Sequence, residues 1–180
     1  YRELGYLPEA LVNFLALLGW SPASEEEIFS VQELIEQFSM DRVAKNPAVF
    51  DIDKLNYLNA QYLKKLSAES LLDMALPHLQ AAGYVGSAIS ESERRWLAGA
   101  VAAVRNHVSY AAQITDHMDV FFNDTYQFES DEARQVLLDA DIPAVFESFT
   151  AKLNALEVLD SQSVQALLKS ITKELKLGGK

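Results

Sequence analysis

The sequence contains no cysteine. That excludes disulfides, thiolate catalysis and cysteine-ligated zinc. Positive charge is scarce: 15 Lys and Arg stand against 26 Asp and Glu, a net charge of −11. A generic polycation that coats DNA or RNA by charge alone is thereby excluded. Long apolar runs are missing as well. The best, Ala10 to Trp20, is 11 residues and contains Asn13, whereas a bilayer span needs about 20. The opening YRELGYLPEA has no basic stretch followed by an apolar one, so no leader is read there. The expectation is a soluble, cytoplasmic protein with no membrane and no DNA partner. The chain starts without Met, inside patterned sequence, and so reads as a piece of a longer protein.

Signs of chemistry are equally sparse. Gly83 to Gly86 lacks the Lys-Ser/Thr pair and the preceding strand of a phosphate loop, and no nucleophile elbow occurs. The histidines are His78, His107 and His117, with no His-x3-His pair. They read as surface or satisfied side chains, and no metal site is expected. Carboxylates such as Glu25 to Glu27, Asp116 and Asp119 lie in polar sequence and read as solvated. No catalytic residue is expected within the chain.

The chain does have the means to fold. Of its 180 residues 49% are hydrophobic, enough for a real core. The punctuation is helical throughout. Pro8 opens a helix bearing Leu11, Val12, Leu15 and Leu18, and Gly19 closes it. Ser30 with Glu33, and Ser90 with Glu93, have capping-box spacing. Val31, Leu34, Ile35 and Phe38 follow the first box on one face. Asn46-Pro47 breaks the next short helix. Asp51 or Asp53 caps a helix to about Leu66, with Leu55, Leu58, Tyr62, Leu63 and Leu66 as its stripe. Ser67 caps another, in which Pro77 predicts a kink or a break. Trp96, Leu97, Ala100, Val101, Val104 and Val108 form the stripe after Ser90. Residues 110–122 and 131–139 read as further helices. Another starts at Ile142-Pro143, with Val145, Phe146, Phe149, Leu153 and Leu156 inward. Asp160 or Ser161 caps the last, which Gly178-Gly179 ends. The fold class is all-α: a helical bundle of about eight or nine helices in two subdomains, 1–66 and 67–180.

Two cationic features stand out on this acidic chain. Arg94 and Arg105 are eleven residues apart, which returns to nearly the same helix direction, with His107 just beyond. Lys169, Lys173, Lys176 and Lys180 are spaced four, three and four along the last helix. Such stripes can meet phosphates locally, although an ordinary solvated face has the same spacing. Tyr57 lies off the apolar stripe of its helix, beside Lys54 and Asn59. It suits stacking on a base or sugar, or plain packing.

Two blocks resemble bacterial glutamyl-tRNA synthetases. Tyr1 to Pro22, YRELGYLPEALVNFLALLGWSP, is similar to the segment that follows the KMSKS-type signature of that family. Pro47 to Leu66 resembles its FD-x-x-KL-x-W-x-N-x-x-Y-[IL] pattern, matched at Phe50, Asp51, Lys54, Leu55, Asn59 and Tyr62, with Tyr57 where Trp is frequent. The resemblance implies the C-terminal part of a class I aminoacyl-tRNA synthetase. It implies a stem-contact region at 1–66, with Lys54, Tyr57, Asn59 and Lys64 on the tRNA side. It implies an anticodon-binding α-helix cage at 67–180, with Arg94, Arg105, His107, Lys169, Lys173 and Lys176 on the anticodon side. Arg105-Asn106-His107 falls where the family carries Arg-x-Arg, so His107 departs from the pattern. The implied partners are tRNA-Glu and the catalytic domain of the same chain, in a monomer. ATP and Mg would belong to that catalytic domain, leaving no cofactor for this region. From the residues alone, the competing expectation is an all-α protein-interaction module with an acidic surface.

Overall fold

A computed structural model describes residues 1–45, 48–125, 128 and 130–177. The Asn46-Pro47 break, the Gly178-Gly179 stop and Lys180 lie outside the described residues. Among the described residues there are nine α-helices and four 3-10 segments, with one isolated antiparallel bridge, Trp20 to Val43. The all-α class holds.

The chain divides into two compact units, Tyr1–Asp124 and Thr125–Lys180. The first contains α1 (Pro8–Leu17), α2 (Val31–Gln37), α3 (Ile52–Lys65), α4 (Ala68–Ala81), α5 (Glu91–Val104) and α6 (Asp119–Phe122). The packing does not part at Leu66. Leu63 of α3 shares one buried cluster with Leu71, Leu72, Ala75 and Leu79 of α4 and with Leu97 and Val101 of α5. Each such fully buried leucine contributes about 1.5–3 kcal/mol, so α3 is glued to α4 across the short turn at Ser67.

Local signals set the helix ends. Asp51 accepts hydrogen bonds from Asp53 N and Lys54 N at 2.9 and 3.1 Å. Both Ser-x-x-Glu boxes close reciprocally. The cap hydrogen bonds hold the Glu33 and Glu93 carboxyls below their ordinary range. Pro77 neither kinks α4 into two nor ends it: α4 runs unbroken to Ala81. Pro77 and Asp73 are both exposed, so the carbonyl that Pro77 leaves without an amide donor can turn to water.

Several apolar positions lie outside the core. In α1 the buried residues are Ala10, Asn13 and Phe14, while Val12 and Leu15 are exposed. In α2 only Leu34 is buried. Trp96 is 48% exposed and sits edge-on to Phe121 and Phe122. Residues 110–122 form a 3-10 segment, Ala111–His117, followed by the short α6.

Two buried asparagines do what apolar side chains cannot. Asn13 Oδ1 accepts from Phe29 N at 2.8 Å and from the Tyr62 hydroxyl at 2.8 Å. This joins α1, the loop before α2, and α3. Asn59 Oδ1 accepts from Leu7 N at 2.8 Å, and its amide donates to Ser109 O. Nearby, Gly5 adopts φ 81° and accepts from Ala111 N at 3.3 Å. A Cβ at Gly5 would lie 2.5 Å from the Ala111 Cβ.

The second unit contains α7 (Asp131–Val136), α8 (Ile142–Asn154) and α9 (Ser161–Glu174). The last two pack as a hairpin, burying Leu167 and Ile171 and pairing Lys152 with Glu174 at 2.8 Å. Phe146 is exposed. The last helix stops at Glu174. Leu177 N then bonds Thr172 O, and Lys176 takes the left-handed position at φ 52°. This is a Schellman ending, with lysine where glycine is commoner.

Gly5→Ala combines a left-handed backbone with overpacking and should cost about 2–4 kcal/mol. Denaturant unfolding followed by circular dichroism measures it. An unchanged midpoint would mean that the Gly5–Ala111 approach is not tight in solution.

Candidate nucleic-acid interface

The expected contact residues on α3 meet different fates. Lys54 pairs with Glu27 and lies 5.4 Å from the Tyr57 ring centroid. Its charge is largely neutralised within the protein. Tyr57 is 48% exposed and offers a ring edge and face. Asn59 is 0% exposed, with both ends of its amide engaged internally. It therefore cannot touch RNA, and the correction has a clear cause: an asparagine on the buried face of a helix is kept only when backbone groups satisfy it. Lys64 is exposed in the last turn of α3, where the helix dipole favours a cation.

Arg94 carries its charge against α4. Its guanidinium engages Glu69 at 3.2 Å and Asp73, both on α4. The hydrogen bond and charge of Asp73, with a smaller share from Glu69, raise its pKa above the ordinary guanidinium value. Arg94 is permanently charged and already answered by two carboxylates.

Arg105 is arranged differently. It is half-buried at the end of α5, where a 3-10 turn, Arg105–His107, follows. Its Nη1 donates to Lys64 O at 3.3 Å, and its Nε is buried without a hydrogen-bond partner. Among the described residues no carboxylate lies within 4.0 Å of Arg105, Lys64 or Lys65. Arg105 and Lys64 thus meet at the end of α3 and the end of α5 with no ion-paired carboxylate among the described residues, whereas the charge of Lys65 acts on Glu33 of α2. Lys65, absent from the expected set, also lies 5.5 Å from the Tyr62 ring centroid. The Lys64-Lys65 doublet in a helix's last turn was its visible signal.

The 3-10 turn also places His107, which is exposed, with its ring centroid 5.8 Å from that of His117. Their spacing of ten residues gave no hint of this. The approach depends on the turn between them, where Ser109 N donates to Gln113 Oε1 at 2.7 Å while Asn59 holds Ser109 O.

In the second unit, Lys169 and Lys173 are exposed on α9, and Lys176 lies past its end. The helical stripe therefore ends at Lys173, because the left-handed backbone at Lys176 turns the chain out of helical register. Among the described residues, no group of three or more His, Asp or Glu is placed to hold a metal. No helix there is long and apolar enough to cross a membrane.

An all-helical scaffold that keeps a few uncompensated cations on an acidic body is the kind of surface that meets a folded RNA at few points. Comparison with known families agrees. Residues 70–180 match the family described as "Anticodon binding domain", and residues 1–57 match "tRNA synthetases class I (E and Q), catalytic domain". The chain belongs to the anticodon-binding domain family, joined on its N-terminal side to sequence of the class I synthetases for Glu and Gln. It is 51% identical over 180 residues to the glutamate–tRNA ligase of Desulforamulus reducens and 43% identical to that of Bacillus subtilis, covering 100% of this chain and 37% of each relative. The crystal structure of a glutamate tRNA ligase from Elizabethkingia meningosepticum superposes with a TM-score of 0.70 at 26% identity, covering 99% of this chain and 34% of that one. The chain thus spans little more than a third of the relatives it matches. The first block, expected to be stem-contact sequence, falls largely within the match to the catalytic-domain family.

Because the charge of Arg94 is spent on α4, Arg94→Ala should lower the unfolding midpoint yet change RNA affinity less than twofold. Filter binding of tRNA beside thermal unfolding checks both. A large loss of affinity in a stably folded variant would return Arg94 to the RNA surface.

Proposed function

We propose that this chain is the tRNA-binding part of a bacterial glutamate–tRNA ligase, positioning tRNA-Glu for a parent enzyme that joins glutamate to it with ATP. The observation that carries the reading is the meeting of Lys64 and Arg105 at the α3–α5 junction, neither ion-paired to a carboxylate among the described residues, while Lys54 and Arg94 are paired. On a chain of net charge −11, most of the surface repels phosphate. Affinity then depends on a few sites, which is a way to reject unrelated nucleic acid.

In this reading residues 1–66 face the tRNA stem, with Tyr57 and Lys64 as contacts. Residues 67–180 serve the anticodon side through Arg105 and His107 and, in the second unit, Lys169, Lys173 and Lys176. Arg105 brings a planar fork of donors suited to a phosphate or a base edge. Single-stranded bases of an anticodon loop can be splayed and read on such donors. ATP and Mg2+ belong to the catalytic domain of the same chain. No chemical step falls to this region in that reading. The protein works in the cytoplasm as a monomer.

In the full-length enzyme, Arg105→Ala should weaken tRNA-Glu binding by about 1–3 kcal/mol, and Lys64→Ala should reduce the slope of log affinity against log salt by about 1. Glutamate-dependent pyrophosphate exchange at saturating tRNA-Glu should be nearly unchanged. Arg105→Lys, which keeps the charge but not the fork, should fall between. Unaltered tRNA affinity in folded Arg105→Ala and Lys64→Ala would contradict the assignment.

A further inference from the structure

We infer that His107 and His117 form a two-imidazole contact for a backbone phosphate of the bound RNA, taking up a proton as the RNA binds. This deepens the reading above and rests on it.

The fold brings the two rings to 5.8 Å between centroids at 47°. That is neither a parallel stack nor an edge-to-face pair. Among the described residues, neither imidazole has a hydrogen-bond or carboxylate partner within the protein. His107 is exposed and His117 half-buried, so both are within reach of a ligand.

The charges around the pair lean the same way. The elements packed against the two 3-10 segments are α3, α4, α5 and α6. From α3 come Lys64 and Lys65, and from the end of α5 comes Arg105, whose Nη1 holds Lys64 O. On α4, Glu69 and Asp73 are held by Arg94, and His78 is half-buried. On α6, Asp119 accepts from the Tyr84 hydroxyl at 2.6 Å and from Asn123 at 3.0 Å. The remaining ionisable groups of α5, Glu91, Glu93 and Arg95, lie in its first turns, at the far end from His107. Asp116, exposed beside His117, and the phenol of Tyr110 complete the set.

Two like charges this close repel each other. An anion placed between the rings reverses the balance. Each N–H then donates a charge-assisted hydrogen bond of about 2.7–2.9 Å to a phosphate oxygen. Imidazole is the side chain that changes charge near neutral pH, so phosphate and proton bind cooperatively there. The sign follows. A bound anion favours the charged imidazole, so the extra affinity is present at lower pH and fades as pH rises. Each proton taken up steepens affinity by at most tenfold per pH unit.

The test measures tRNA-Glu affinity of the full-length enzyme between about pH 6 and about pH 8, with EDTA present throughout. The variants are His107→Gln, His117→Gln, the double variant and Arg105→Ala, each checked for folding by thermal unfolding. The wild type should tighten about three- to tenfold more than the double variant as pH falls across this range, and each single variant should lose part of that gain. Equal pH dependence in the wild type and the folded double variant overturns the inference. So does a gain that EDTA abolishes, since a bridging metal would then be responsible. If Arg105→Ala weakens binding while the double variant keeps the wild-type pH slope, the reading of the interface stands and only the proton-linked contact fails. If neither affects binding, both fail.

Discussion

A single buried amide holds together the entry to α1, α3 and the turn that follows α5 in the first unit. Asn59 takes Leu7 N on one side and gives its own N–H to Ser109 O on the other. Leu7 leads into α1, and Ser109 lies between the turn bearing Arg105 and His107 and the segment that ends at His117. Removing the amide would leave two backbone groups unpaired in the interior, at about 1–3 kcal/mol each. Leucine, the apolar residue of nearest size, could not replace it. The geometry of the cationic edge is thus set by a residue that never reaches the surface. Gly5 reinforces the same seam, since only a side chain reduced to hydrogen lets the first segment close on Ala111.

The electrostatics follow from which cations are answered and which are not. Glu27, Glu69 and Asp73 consume Lys54 and Arg94. The ends of α3 and α5 meet where helix carbonyls, not carboxylates, are the nearest acceptors, and Arg105 settles on one of them. A carbonyl satisfies a donor without cancelling its charge, so the positive potential at this junction survives in a protein that is acidic overall. The second unit repeats the theme on its own scale. Glu174 takes Lys152, while Lys169 and Lys173 remain turned to solvent on α9.

What the sequence made legible was local. Ser30 with Glu33, Ser90 with Glu93, Asp51 and Ser67 announced their helices because each cap acts within three residues, and all of them cap as expected. The failures are long-range. Asn59 looked like a surface residue because its partners lie about fifty positions away in either direction. Arg94 looked available because Glu69 and Asp73 stand on another helix. Trp96 sat on an apolar stripe but ended at its edge, edge-on to Phe121 and Phe122 instead of sunk in the core. The His107–His117 approach required a turn whose closure depends on Gln113 and Asn59, and no periodicity encodes that.

Amide hydrogen exchange on the full-length enzyme, with and without tRNA-Glu, tests the central claim most directly, because it reads the whole surface at once. The account predicts slowed exchange in peptides covering Lys64–Lys65 and Arg105–His117, with little change in peptides that carry Glu69, Asp73 and Arg94. Protection confined to the peptides of Arg94, or none at the α3–α5 junction while tRNA is bound, would contradict it.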